Sequence, residues 1–193
     1  MTRQPFYILL LKGIGYITLG NVLCLFMTMA LSMFGGNIIF NIIAMICGTL
    51  IFHMLVFAVA WKDGVRERNL VKYHRVDSPL KYRWLILGFI LFAIAASPTE
   101  LLLLNKLFFP DNDTLYFYRF ISGSAFPFIQ TFIPKPDLDS PAWIPTEYRQ
   151  IDSMPVLFPA LMLIFYAVIP VMTQLGWYIG YYDKFNSDKI IYK

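Results

Sequence analysis

The stretch that decides the fold runs from Ile38 to Trp61, IIFNIIAMICGTLIFHMLVFAVAW, and contains no Lys, Arg, Asp or Glu. As one α-helix it would be about 36 Å long, enough to cross the ~30 Å hydrocarbon core of a bilayer. Similar apolar runs occupy residues 6–34, 84–105 and 154–182. The composition agrees, because 58% of the residues are hydrophobic and only 15% are charged. We predict one all-α integral membrane domain over residues 1–193, with four transmembrane helices.

The distribution of charge predicts which side each connection faces. Residues 62–83 carry seven Lys or Arg against three acids, and short loops with this bias stay in the cytoplasm. The amino terminus, with Arg3 and Lys12, lies two spans away and is expected on the same side. Residues 106–153 hold more acids than bases and are predicted to be an external loop. The predicted topology therefore places both termini on the cytoplasmic side of the membrane.

The external loop contains a second apolar stretch, residues 115–133, which Arg119, Gly123 and Pro127 interrupt. We expect it to be interfacial or re-entrant, although a fifth span is the alternative, because irregular backbone inside lipid has to be covered by protein. The four prolines that follow at positions 134–145 predict an extended outer cap. Trp143 in this cap is a candidate docking residue.

Small residues predict how the helices pack. Those on one face of the first span and on one face of the second are expected to touch, because only residues 35–37 separate the two spans. The two faces comprise Gly13, Gly20, Cys24 and Thr28, and Asn41, Ala44, Gly48 and Thr49. In the fourth span, a close-packing pair is predicted at Gly176 and Gly180, and kinks are predicted at Pro159 and Pro170. The aromatic residues Trp61, Trp84, Trp177 and Tyr178 are expected to form interfacial belts.

Polar side chains inside predicted spans are functional candidates, because they are costly in lipid. Glu100 is the only carboxylate within a span, but it lies close to the outer surface and is readily explained as a headgroup contact. His53, Asn41 and Gln174 are explained equally well by hydrogen bonds between helices. Arg119 is a fifth candidate, in the external loop. Arg66 and Arg68, in the basic loop, are candidate docking residues.

Two short elements carry a resemblance. The string WKDGVRERN at residues 61–69 and the ending GYYDK at 180–184, with DKIIYK at 188–193, resemble uncharacterised small polytopic membrane proteins of Gram-positive bacteria. The resemblance implies a bacterial plasma membrane and no activity. Around Asp63, Gly64 and Asn69 we expect a turn at the mouth of the second span, with Asp63 and Asn69 as caps and Gly64 as the bend.

Three functions remain open at this point. The first is a non-catalytic subunit or scaffold that binds other membrane proteins, and the second is a small transporter or channel built as a homo-oligomer. The third is a membrane enzyme acting at the outer surface, for which Glu100, Asp111, Asp113 and Arg119 are the nearest polar cluster. The sequence has no motif for catalysis, cofactors or metals, so we predict no catalytic residue and no cofactor. The basic charge is expected to face lipid headgroups, with no nucleic-acid partner.

Overall fold

The computed structural model describes residues 3–33, 38–109, 114–133 and 154–182. Within these ranges the chain forms helices and connecting turns and no strand. The helices are α1 (Phe6–Ser32), α2 (Ile38–Lys72), α3 (Arg83–Phe108), α4 (Thr114–Ile121), α5 (Phe126–Phe132), α6 (Leu157–Ala167) and α7 (Ile169–Tyr182), with a 3₁₀ turn at Gly123–Ala125 between α4 and α5. Helices α1, α2, α3 and the run α6–α7 are each long and apolar enough to cross a membrane. The predicted all-helical class with four candidate spans is confirmed.

Proline explains the one interruption in the last span. Helix α6 ends at Ala167, and α7 begins at Ile169, directly before Pro170. Because proline has no amide hydrogen, it cannot continue the hydrogen-bond ladder of α6. Pro159, in contrast, lies in the first turn of α6, where that hydrogen is not needed, and α6 continues through it.

Helix α2 differs most from expectation, because it continues to Lys72 instead of ending at Trp61. The predicted loop at residues 62–83 is wrong over its first half, and so is the predicted turn at Asp63, Gly64 and Asn69. Residues four or three apart along this extension, including Glu67 and Leu70, are buried, so packing of one helix face maintains the helix.

The end of α2 has a defined cap. His74 has a positive φ of 52°, its amide donates to the Val71 carbonyl at 3.0 Å, and the Arg75 amide donates to the Leu70 carbonyl at 2.9 Å. These two bonds around a left-handed residue form a Schellman motif, which satisfies the last carbonyls of the helix. The chain therefore leaves α2 in a fixed direction.

The described residues fall into two compact units. The first unit comprises residues 3–18, 53–94 and 167–182, and the second comprises residues 19–33, 38–52, 95–109, 114–133 and 154–166. Each unit is built from segments far apart in the sequence. The first contains a buried core around Leu9, Val59, Ala60 and Leu87. The second contains a cluster of aromatic rings in which Phe165 lies 5.3 Å from Phe52 and 5.7 Å from Phe128, between ring centres.

The predicted contact between the first two spans is present in the second unit. The Cys24 thiol donates to the Gly48 carbonyl at 3.3 Å, and Cys24 is fully buried. Both Cys24 and Cys47 are free thiols. Gly13, which we expected on the same interface, instead packs in the first unit against Leu91 of α3. A Cβ on Gly13 would lie only 2.6 Å from the leucine side chain.

The apolar stretch between the third and fourth spans forms two short helices rather than one long one. Helices α4 and α5 contain eight and seven residues, or about 12 Å and 10 Å of helix, so neither can cross a bilayer alone. The 3₁₀ turn that joins them packs against α1, and a Cβ on Gly123 would collide with the carbonyl oxygen of Asn21. The predicted proline-rich cap after residue 133 lies outside the described residues, apart from its end at Met154 and Pro155.

Candidate functional site

Two carboxylates on α2 are the most buried acidic groups among the described residues. Asp63 is 8% exposed and Glu67 is 3% exposed. Because they are four residues apart on one helix, both project from the same face. Burying ionisable groups is costly unless they are paired and hydrogen-bonded. The groups that hydrogen-bond to these two carboxylates therefore show what role this face of α2 has in the structure.

Each carboxylate accepts a hydrogen bond from a tryptophan on a different helix. The indole Nε1 of Trp84, on α3, donates to Asp63 Oδ2 at 2.8 Å. The indole Nε1 of Trp177, on α7, donates to Glu67 Oε2 at 3.0 Å. Both indoles are buried, at 0% and 1% exposure, so Trp84 and Trp177 face protein and not lipid, unlike the residues of an aromatic belt. The two pairs tie α2 to α3 and to α7.

The second oxygen of Glu67 also has partners. Glu67 Oε1 accepts the backbone amide of Leu80 at 3.0 Å and pairs with the Arg3 guanidinium at 3.0 Å. Arg3 donates in addition to the Ser78 carbonyl, and Arg83 donates to the Gln4 carbonyl. We call Arg3, Asp63, Glu67, Trp84 and Trp177 the carboxylate clamp. It fixes the amino-terminal segment and the connection between α2 and α3 to the same unit.

Glycines allow the close helix approach on which the clamp depends. A Cβ on Gly176 would lie 2.5 Å from the Phe57 carbonyl oxygen, and one on Gly180 would collide with the Trp61 carbonyl oxygen. Gly64 meets the carbonyl oxygen of Trp177 in the same way. The close-packing pair predicted at Gly176 and Gly180 is confirmed, and Gly64 completes the contact from the α2 side. Because the two backbones lie this close, the Trp177 indole can donate directly to the Glu67 carboxylate.

A second polar cluster lies in the second unit, around the 3₁₀ turn. The Ser124 amide donates to Asn21 Oδ1 at 3.1 Å, and the Ser124 hydroxyl lies 3.2 Å from the Tyr166 hydroxyl. Nearby, the Thr99 and Tyr118 hydroxyls are 3.1 Å apart. Both of these side chains are buried, so each hydroxyl needs the other as a hydrogen-bond partner.

The residues predicted from sequence are distributed over both units. His53 is buried in the first unit. Gln174 lies in the same unit, and its side-chain amide donates to the Lys81 carbonyl at 2.9 Å. In the second unit, Asn41 and Arg119 are half-buried, and Glu100 is exposed.

Of the three predicted docking residues, two belong to the part of the chain that the structure describes and one does not. Arg66 and Arg68 are half-buried on the extension of α2. Trp143 lies outside the described residues, as do Asp111 and Asp113 of the predicted outer cluster. Among the described residues, no group of three or more His, Cys, Asp or Glu is placed to hold a metal ion.

Two cavities in the first unit are lined by cations and by no acid. One, of about 520 Å³, is lined by Lys62, Val65, Arg66, Asn69 and Leu70 of the α2 extension and by Tyr73 and Arg75 just beyond its end. The other, of about 780 Å³, lies where α1 and α3 begin. Both volumes fall within the range of ligand-binding pockets.

Sequence reasoning missed the clamp because its partners are far apart. Two acids spaced by four residues at the end of an apolar helix, beside a glycine, were the available signal for a buried face. Comparison with known proteins assigns no role to these residues, because no family model, curated protein or solved structure matches this chain.

Proposed function

We propose that this protein is a non-catalytic membrane subunit that binds another membrane protein through the basic extension of α2. The observation that carries the proposal is the 520 Å³ cavity on this extension, whose lining includes three cations and no acid. We call this cavity, defined by Lys62, Arg66, Asn69, Tyr73 and Arg75, the basic groove. The occupant that fits it is an acidic segment that directly follows or precedes a span of the partner.

The position of the basic groove favours a protein occupant. Tyr73 lies 12 residues beyond Trp61, so its end of the groove stands about 18 Å past the apolar run of α2. In a bilayer of ordinary thickness this end would stand outside the hydrocarbon, where a polar segment of a partner can reach it. The Tyr73 side chain is 66% exposed and offers an aromatic contact of the kind enriched at interfaces.

The clamp supports a structural role over a catalytic one. Both oxygens of Glu67 and one oxygen of Asp63 are engaged in bonds that hold helices and the amino-terminal segment together. A carboxylate used in this way is a poor general base, because its lone pairs are already occupied. The clamp instead provides rigid structural support for the α2 extension.

The proposed setting is a bacterial plasma membrane, with the basic groove and both termini on the cytoplasmic side. The excess of Lys and Arg at residues 62–83 supports this orientation. The short resemblance to small membrane proteins of Gram-positive bacteria supports the membrane assignment.

The test is affinity purification from the native membrane in a mild detergent, with components identified by mass spectrometry. We expect one membrane protein to co-purify in stoichiometric amount and Arg75→Glu to lower its recovery at least tenfold. Lys72→Glu is the matched control, because it makes the same charge change on the extension outside the groove lining, and it should lower recovery less than twofold.

Reversing the charge on both sides of the proposed contact gives the decisive test. Changing acids in the partner's juxtamembrane segment to lysine should restore recovery with Arg75→Glu. A preparation that contains only copies of this chain, or a partner lost equally with Lys72→Glu, would overturn the proposal.

A second candidate, a small oligomeric transporter or channel, is favoured by one observation. The turn between α4 and α5 contacts Asn21, which lies 11 residues, or about 16 Å, before the end of α1 at Ser32. Short broken helices that reach this far along a span are typical of re-entrant elements in transporters. Ion flux in proteoliposomes that Asn21→Leu abolishes would favour this candidate, and equal flux in empty liposomes would remove it.

A further inference from the structure

The 780 Å³ cavity of the first unit has a lining of mixed chemistry, which comes from the segments that begin α1 and α3. Most of the lining is apolar and includes Phe6 and Ile86. Three cations, Arg3, Lys81 and Arg83, also contribute to it. No acid is part of the lining.

The electrostatics of this cavity favour an anion. Glu67 compensates the charge of Arg3, and Arg83 is directed at the Gln4 carbonyl, but Lys81 is exposed and has no acid among the residues that share the cavity with it. The cavity also receives the amino ends of α1, which begins at Phe6, and of α3, which begins at Arg83. Each helix start adds a partial positive charge, so their fields reinforce those of the side chains.

The apolar part of the lining identifies the kind of anion. Phe6 is 40% exposed and Ile86 is 56% exposed, and both belong to helices that are long and apolar enough to span a membrane. The cavity therefore opens at the level where hydrocarbon gives way to water. A free phosphate would use the cations and leave these apolar side chains in contact with water, whereas a phospholipid can use both the cations and the apolar side chains.

We propose that this cavity is a binding site for an anionic phospholipid, with the phosphate beside Lys81 and an acyl chain along Phe6 and Ile86. The site goes beyond the proposed subunit role and is separate from the basic groove, because the two cavities share no lining residue. Its occupant comes from the bilayer rather than from a partner protein.

The test is native mass spectrometry of the purified full-length protein, titrated with dioleoyl phosphatidylglycerol or with dioleoyl phosphatidylcholine. We expect the anionic lipid to bind at least tenfold more tightly. Lys81→Gln should weaken phosphatidylglycerol binding about fivefold, the effect of losing one lysine near an anionic headgroup. Lys72→Gln, which removes an exposed lysine outside the cavity, should change it less than twofold.

Three results would overturn the inference. They are equal affinity for the two lipids, an equal effect of Lys72→Gln and Lys81→Gln, and displacement of the lipid by millimolar inorganic phosphate. The last would show a site for a free anion. Ile86→Asn gives a second measurement: it should weaken binding of the long-chain lipid more than that of a short-chain phosphatidylglycerol. Unchanged thermal unfolding of each variant shows that the fold is kept.

Discussion

Replacing Glu67 with alanine removes the acceptor for the buried Trp177 indole and for the part-buried Leu80 amide. Each would lose a 3.0 Å hydrogen bond. An orphaned buried donor costs about 1–3 kcal/mol and the loss of an ordinary hydrogen bond about 0.5–1.5 kcal/mol, so the loss should be about 1.5–4.5 kcal/mol in the free energy of unfolding. At about 2–4 °C per kcal/mol for a chain of this size, a mid-range loss of about 3 kcal/mol lowers the melting temperature by about 6–12 °C.

The assay is thermal unfolding of the detergent-solubilised protein, with Glu100→Ala as the matched control. Glu100 is an exposed carboxylate, and its loss should change stability by no more than about 0.5 kcal/mol. The double variant Glu67→Ala with Trp177→Phe should be less destabilised than the sum of the single variants, because the indole donor is then gone as well. Equal melting temperatures for Glu67→Ala and Glu100→Ala, or full additivity in the double variant, would refute the clamp as a source of stability.

Four further changes, two expected to destabilise and two to stabilise, are measured by the same thermal assay. Gly64→Ala should destabilise by about 1–3 kcal/mol, because its methyl group meets a carbonyl oxygen of α7, whereas Gly15→Ala, with open space around it, should stabilise by up to about 1 kcal/mol. Asn21→Ala should cost about 1–2 kcal/mol, because the Ser124 amide loses its acceptor, and limited proteolysis should then cut faster between α4 and α5. His74→Gly should stabilise by about 1 kcal/mol, because glycine adopts the left-handed conformation without the steric cost of a side chain. Destabilisation by Gly15→Ala, or none by Gly64→Ala, would contradict the packing described.

The four candidate spans were predictable because each depends on a local property. A run of about 20 apolar residues satisfies its backbone only as a helix in lipid, and no distant residue is needed to recognise it. The extension of α2 beyond Trp61 was not predictable in this way. Lys62 begins a charged segment, and charge alone does not distinguish a loop from a helix whose other face is buried.

The clamp shows where reasoning from one sequence reaches its limit. From the sequence, Asp63 was expected in a turn, Glu67 lay in a predicted loop, and Trp84 and Trp177 were expected in interfacial belts. Only the fold brings these four residues together, and 110 positions separate Glu67 from its indole. The glycine pair at 176 and 180 was recognisable because its spacing is itself the signal, whereas the contribution of Gly64 depends on which helix lies opposite.

The sequence separation within the clamp also has a consequence for biosynthesis. Trp84 follows Asp63 by only 21 residues, but Trp177 is made 110 residues after Glu67. At about 5–20 residues per second, Glu67 waits about 5–22 s on the ribosome for its indole. Arg3 and the Leu80 amide are both synthesised before α7, so Glu67 has partners during that interval. The nascent chain thus already carries a counter-ion for Glu67, Arg3, before the last helix arrives.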